Sequence, residues 1–133
     1  MVKDKFCKVC VLVFVNNGKN EYAFTKSKNK IIKSDGLCVP YAIVRAGETA
    51  IEACERAVKG EAGIRIMGLR LLTEGVHYYF ENKDQNFVVL SFYATSFRDK
   101  PKKAVEWYRE KDFPSEASSL FVCGVNFDLS FLP

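Results

Sequence analysis

The chain has a single histidine, His77, in 133 residues, and no second C-x-x-C accompanies the one at Cys7 and Cys10. Those absences exclude the common structural zinc sites, which need a second cysteine pair or a spaced pair of histidines. Long hydrophobic runs are missing too. "VCVLVFV" at residues 9–15 is seven residues long, against the roughly 20 that a membrane helix needs. "MVKDKFCKVCVLVFV" carries no small-residue cleavage site, so no targeting segment is expected and the protein reads as intracellular, in the cytoplasm. The five cysteines (Cys7, Cys10, Cys38, Cys54 and Cys123) are an odd number without a secretory leader, which argues for free thiols. No internal repeat or low-complexity tract is present. Charge is not gathered into blocks: 20 Lys and Arg against 16 Asp and Glu leave a net +4, with the lysines scattered. That balance favours an anionic small-molecule ligand, while membrane and nucleic-acid partners are not expected.

With 48% apolar and 27% charged residues, the composition is that of a soluble globular chain. Its length suits a single domain over residues 1–133. "VCVLVFV" is the run of a strand buried on both faces. Within "CKVC" such a strand turns one cysteine inward and the other outward. "NNGKN" is turn chemistry, after which "EYAFTK" is expected to pair back onto the first strand. A lysine-rich loop at 27–37 leads to a short strand around Pro40. A helix then starts near Glu48 or Thr49, with Glu52 three residues after Thr49 as in a capping box. Ile51, Cys54, Val58 and Ala62 form its apolar stripe, and Gly63 stops it. Residues 64–75 read as an irregular strand, and "GVHYYFENKDQNFVVLSFYATSF" as a hairpin turning at 81–86. "RDKPKK" breaks the pattern, "VEWYREKDFP" is one more strand and its exit, and "SEASSLFVC" is a short C-terminal helix. The fold class is therefore α/β of the α+β type.

One segment carries the chemistry. In "PYAIVRAGETAIEACERAVKGEAGI", residues 40–64, "GET" opens the helix and "R…E-x-G-I" closes it. This resembles the Nudix hydrolase (MutT-like) signature, G-x5-E-x7-R-E-U-x-E-E-x-G-U with U a bulky apolar residue. On this chain the first glycine falls at Ala42, the glutamate at Glu48 and the arginine at Arg56. The next glutamate position is Ala57, the apolar residue is Val58, the glutamate pair is Gly60 and Glu61, and Gly63-Ile64 closes the box. Pro40, "EYAFTKSK" and "WYREKDFP" match further family features, so the likeness runs over roughly residues 7–114.

The resemblance implies an α/β/α sandwich with a mixed sheet, a central box helix and a short C-terminal helix. It also implies a site for magnesium or manganese on the helix glutamates, bridging the diphosphate of a nucleotide-type substrate. Catalytic roles then fall on Glu61, Arg56 and Glu48, with Glu61 as metal ligand, and phosphate contacts on Lys26, Lys28 and Arg45. Two of the three helix glutamates are replaced, by Ala57 and Gly60, and one carboxylate is a poor magnesium site because the ion gives up water reluctantly. Arg45 stands where the family often has an acid, which makes the cleft more positive. Elementary helix chemistry offers other uses for the charges: Glu52 with Arg56 and Glu55 with Lys59 are surface pairs worth about 0.2–0.5 kcal/mol, and an acid in the first turn suits Glu48. Trp107, Tyr78, Tyr79, Phe80, Phe92 and Tyr93 are expected mostly in the core.

Three functions follow, in order. The first is a Nudix-fold protein that binds a nucleotide or other diphosphate-type ligand with weak or lost hydrolysis and without a cofactor. The second is an active magnesium- or manganese-dependent hydrolase whose site is completed by outside acids such as Glu52, Glu55 or Glu81. The third is a protein-binding scaffold. A homodimer is open in each.

Overall fold

The computed structural model describes residues 7–26, 37–72, 76–80 and 85–113, the segments 76–80 and 85–87 by their backbone alone. Its central element is the 14-residue strand β6, Gln85–Arg98, numbered within the order β1 Cys7–Val15, β2 Glu21–Phe24, β3 Tyr41–Ile43, α1 Ala50–Ala62, β4 Arg65–Leu71, β5 Val76–Phe80, β6 and β7 Glu106–Arg109. A strand this long can serve three partners. β1 runs parallel along one side of β6, from Cys7 opposite Asn86 to Val15 opposite Ala94. On the other side β5 and β4 pair antiparallel in succession, β5 from Phe80↔Gln85 to Val76↔Val89 and β4 from Leu71↔Phe92 to Arg65↔Arg98. β3 closes the far edge of β1. The five-stranded sheet is thus mixed, and it matches the α+β class expected from the sequence.

β1 is buried from Val11 to Val15 because both faces of the sheet are covered. Val11, Val13 and Val15 pack with Ala53, Cys54, Ala57, Val58 and Ala62 of α1. Cys10, Leu12 and Phe14 join Tyr22, Phe24, Cys38 and Val39 on the opposite face. Each such Val, Leu or Phe contributes roughly 1.5–3 kcal/mol by leaving water. The predicted split of the C-x-x-C holds, with Cys7 exposed and Cys10 buried. The hairpin of β5 and β6 is present, and its turn at 81–84 lies outside the described residues, as do Cys123 and the C-terminal helix expected at "SEASSLFVC".

Two expectations need correction. β2 does not pair along β1; a single bridge, Asn16↔Tyr22, joins the two, and β2 pairs antiparallel with β7 in a separate two-stranded sheet. The turn between them is closed locally: the Asn16 and Asn17 side chains accept from the N–H groups of Gly18 and Lys19, and the Asn17 N–H donates to the Glu21 carbonyl, after which the ladder with β1 goes no further than the one bridge. Ile51 is not on the buried stripe but 53% exposed. The buried face of α1 is centred toward Ala53 and Ala57, whose small side chains let the helix lie close to the sheet and leave Ile51 at its rim.

The irregularity in β4 has a local cause. Gly68 sits at φ +62° opposite Thr95, and a Cβ there would collide with the threonine hydroxyl. Glycine adopts this left-handed backbone without strain, and the register with β6 runs through it unbroken, from Met67↔Ser96 to Leu69↔Ala94.

Candidate functional site

The N-terminus of α1 is fixed as its sequence predicts. Thr49 is the N-cap, its hydroxyl accepting from the Glu52 N–H at 3.1 Å while the Glu52 carboxylate accepts from the Thr49 N–H at 3.1 Å. At the other end Gly63 takes the left-handed conformation, φ +76°, and its N–H reaches the carbonyls of Lys59 and Val58.

This helix forms one wall of a cleft of about 580 Å³. Arg56, Ala57, Gly60 and Glu61 line it from α1. Thr25 and Lys26 line it at the end of β2, Leu37, Tyr41, Ala42 and Arg45 around β3, and Lys102, Ala104 and Glu106 from the segment entering β7. Positions 57, 60 and 61 of the helix thus face one space. Two of them present no carboxylate. Gly60 has nothing within 4 Å of where a Cβ would stand, so its missing side chain leaves open space rather than a packed contact.

Glu61 accepts a hydrogen bond from the Thr25 hydroxyl at 2.9 Å, which ties the helix to the end of β2. Four cationic side chains, Lys26, Arg45, Arg56 and Lys102, share the cleft with two carboxylates, Glu61 and Glu106. The last of these, like Lys102, had no role in the sequence expectations. Lys28 and Glu81 lie outside the described residues.

Arg56 does not pair with Glu52, whose carboxylate is used in the cap. Its Nε and Nη2 donate to the two oxygens of Glu48, each at 2.9 Å, and Nη2 also donates to the Ile43 carbonyl at 2.8 Å. Glu48 in turn accepts from the Arg45 N–H at 3.1 Å. This bidentate clamp holds the Glu48 carboxyl at about 2, well below the usual range, and raises the Arg56 guanidinium. Glu48 precedes the cap, and its carboxylate is taken up by the Arg56 guanidinium and the Arg45 backbone N–H. Lys59 is not with Glu55 but 3.9 Å from Asp99.

The aromatics behave as core. Trp107 stacks on Phe97 with centroids 5.5 Å apart, Phe92 is buried, and Tyr93 packs against the core. The side chains of Tyr78, Tyr79 and Phe80 lie outside the described residues, and among the described residues the aromatic ring that lines the cleft is Tyr41.

Among the described residues no three Asp, Glu, His or Cys side chains gather closely enough to hold an ion, and the cleft brings more ammonium and guanidinium groups than carboxylates. Among those residues no helix is long and apolar enough to cross a membrane.

No family model matches the sequence, and no curated protein matches it. Solved structures do match. A MutT Nudix hydrolase from Burkholderia pseudomallei superposes with TM-score 0.79 at 17% identity, over 92% of this chain and 98% of that one. A Nudix hydrolase from Nitrosomonas europaea gives 0.64 at 18% identity, over 80% and 74%. A Nudix-family hydrolase from Clostridium perfringens gives 0.59 at 16%, over 92% and 95%. These identities speak for architecture, and they agree with the box read from residues 42–64: the chain has the Nudix fold.

Proposed function

We propose that the protein binds a nucleotide or another diphosphate-type ligand in this cleft and hydrolyses it weakly or not at all. The observation that carries the reading is the exchange of charge on the cleft wall. Ala57 and Gly60 stand where the family's helix carboxylates would stand, while Lys26, Arg45, Arg56 and Lys102 surround the same space. A cleft with an excess of one sign of charge concentrates ligands of the other, and four cations against two carboxylates favour a bare diphosphate over a divalent cation. Glu48 and Arg56 act on this site through each other: their clamp fixes the loop bearing Arg45 and the backbone of β3 against the helix. Lys26 and Arg45 are the phosphate contacts in this reading.

A second reading rests on Glu61 and Glu106 lining the cleft from different elements. Magnesium is held in many enzymes by one or two carboxylates together with substrate phosphates, so an active magnesium- or manganese-dependent hydrolase is the competing proposal.

The test is a panel of nucleoside diphosphate derivatives, assayed for binding and for phosphate or nucleotide release with magnesium, with manganese and with chelator. Binding that survives chelator, without turnover, is the expected result. Metal-dependent turnover abolished by Glu61→Ala would overturn it in favour of the hydrolase. Absence of any binding across the panel would leave the fold as a protein-binding scaffold.

A further inference from the structure

Lys102 is anchored at the end of the box helix by three separate contacts. Its backbone N–H donates to the Ala62 carbonyl at 2.9 Å. Its aliphatic carbons pack over Gly63, with Cγ 3.1 Å from where a Cβ on that glycine would stand. Its ammonium donates to the Gly60 carbonyl at 2.9 Å. The following turn is closed by the Val105 N–H on the Lys102 carbonyl at 3.1 Å. A cation at this place suits the negative end of the helix, but that role alone does not require the residue to face the cleft. It does face it, beside the open space that Gly60 leaves.

We infer that the Lys102 ammonium, one of the four cations of the cleft, is placed beside the vacated carboxylate positions of the helix to bind the diphosphate moiety of the ligand directly, without a metal. The inference rests on the phosphate-binding reading and names the group that carries it. An ammonium has three donors. One is placed on Gly60, and a diphosphate oxygen is the natural acceptor for another. The same geometry accounts for the two small residues. A glutamate at position 60 would have room to extend, but it would put a carboxylate next to the ammonium and neutralise it. Glycine leaves position 60 without a carboxylate beside that ammonium. Gly63 serves the same end, since a methyl group there would press on the lysine stem.

The experiment is calorimetric titration of the full chain with inorganic pyrophosphate and with ADP, both in chelator. Wild type is compared with Lys102→Met, Gly60→Glu, Arg45→Met and Lys59→Met. Lys59 is exposed, lies outside the cleft lining and loses the same unit of charge, so it reports on net charge alone. The inference expects Lys102→Met and Gly60→Glu each to weaken both ligands at least tenfold, with Lys59→Met within about twofold of wild type. Equal loss for pyrophosphate and ADP assigns the contact to the diphosphate. Wild-type affinity in Lys102→Met, with binding lost in Arg45→Met, would overturn the inference and leave the broader reading standing. Failure of wild type to bind either ligand would overturn both. If thermal melting shows Lys102→Met unfolded, Gly60→Glu decides: retained affinity there overturns the inference, and loss of affinity with an intact melt supports it.

Discussion

Arg56 grips Glu48 with two nitrogens, across eight residues and from the body of the helix to the residue before its cap. The pair is a brace. It fastens the carbonyl of Ile43 to α1 directly and the loop of Arg45 through the Glu48 carboxylate, which accepts from the Arg45 N–H.

The brace makes acid stability depend on Glu48. Its carboxyl is held at about 2 in the fold, against an ordinary value of 4.5. A carboxyl depressed by folding stabilises the native state fully above its unfolded value and loses that contribution as pH falls through the folded one. Unfolding curves measured between pH 6 and pH 2 should show wild type losing stability from about pH 4.5 downward. Glu48→Gln should be less stable at neutral pH and show a flatter acid limb. Parallel limbs for the two proteins would refute the assignment. Arg56→Lys should fall between wild type and Glu48→Gln, because an ammonium keeps the charge beside Glu48 but not the planar two-point contact.

Gly60→Ala tests whether the helix tolerates a side chain where the family has an acid. The position is helical and has open space around it, so the substitution should stabilise by about 0.5–1 kcal/mol through helix propensity alone. Denaturant titration measures it. A destabilised variant would show that the glycine is needed for packing.

Gly63→Ala should do the reverse. The residue is left-handed at φ +76°, and the lysine stem lies over it. A cost of about 1–2 kcal/mol is expected from the backbone alone. A variant as stable as wild type would contradict the cap geometry.

Thiol reactivity should follow burial. The Cys54 thiol is pushed up to about 12 by burial against the sheet, whereas Cys7 is exposed. Brief alkylation of native protein followed by peptide mass spectrometry should modify Cys7 and spare Cys54, with Cys54 reacting after unfolding. Rapid native labelling of Cys54 would mean that α1 detaches from the sheet.

The helix was legible in the sequence because its determinants are local. Thr49, Glu52 and Gly63 act within a few residues of one another, and the structure uses each as the spacing predicts. The fold followed from the same box and from the buried run of β1. The partner of Arg56 was misassigned because four-residue spacing favoured Glu52, while the cap had a stronger claim on that carboxylate. Lys102 was illegible for a different reason. It meets Gly60 across 42 positions, and nothing in "RDKPKK" marks which lysine folds back. β2 went to the wrong neighbour because a turn-rich link says that the chain reverses but not which strand it then meets.

The parallel pairing of β1 with β6 has a consequence for how the chain is made. The two strands are separated by roughly eighty residues, a long-range closure of the kind that slows folding. A ribosome adding about 5–20 residues per second needs about 4–16 s to cover that interval. Through that time "VCVLVFV" lacks the strand that covers its longest edge, and an apolar, β-branched run left with an open edge is the kind of segment that pairs with another copy of itself.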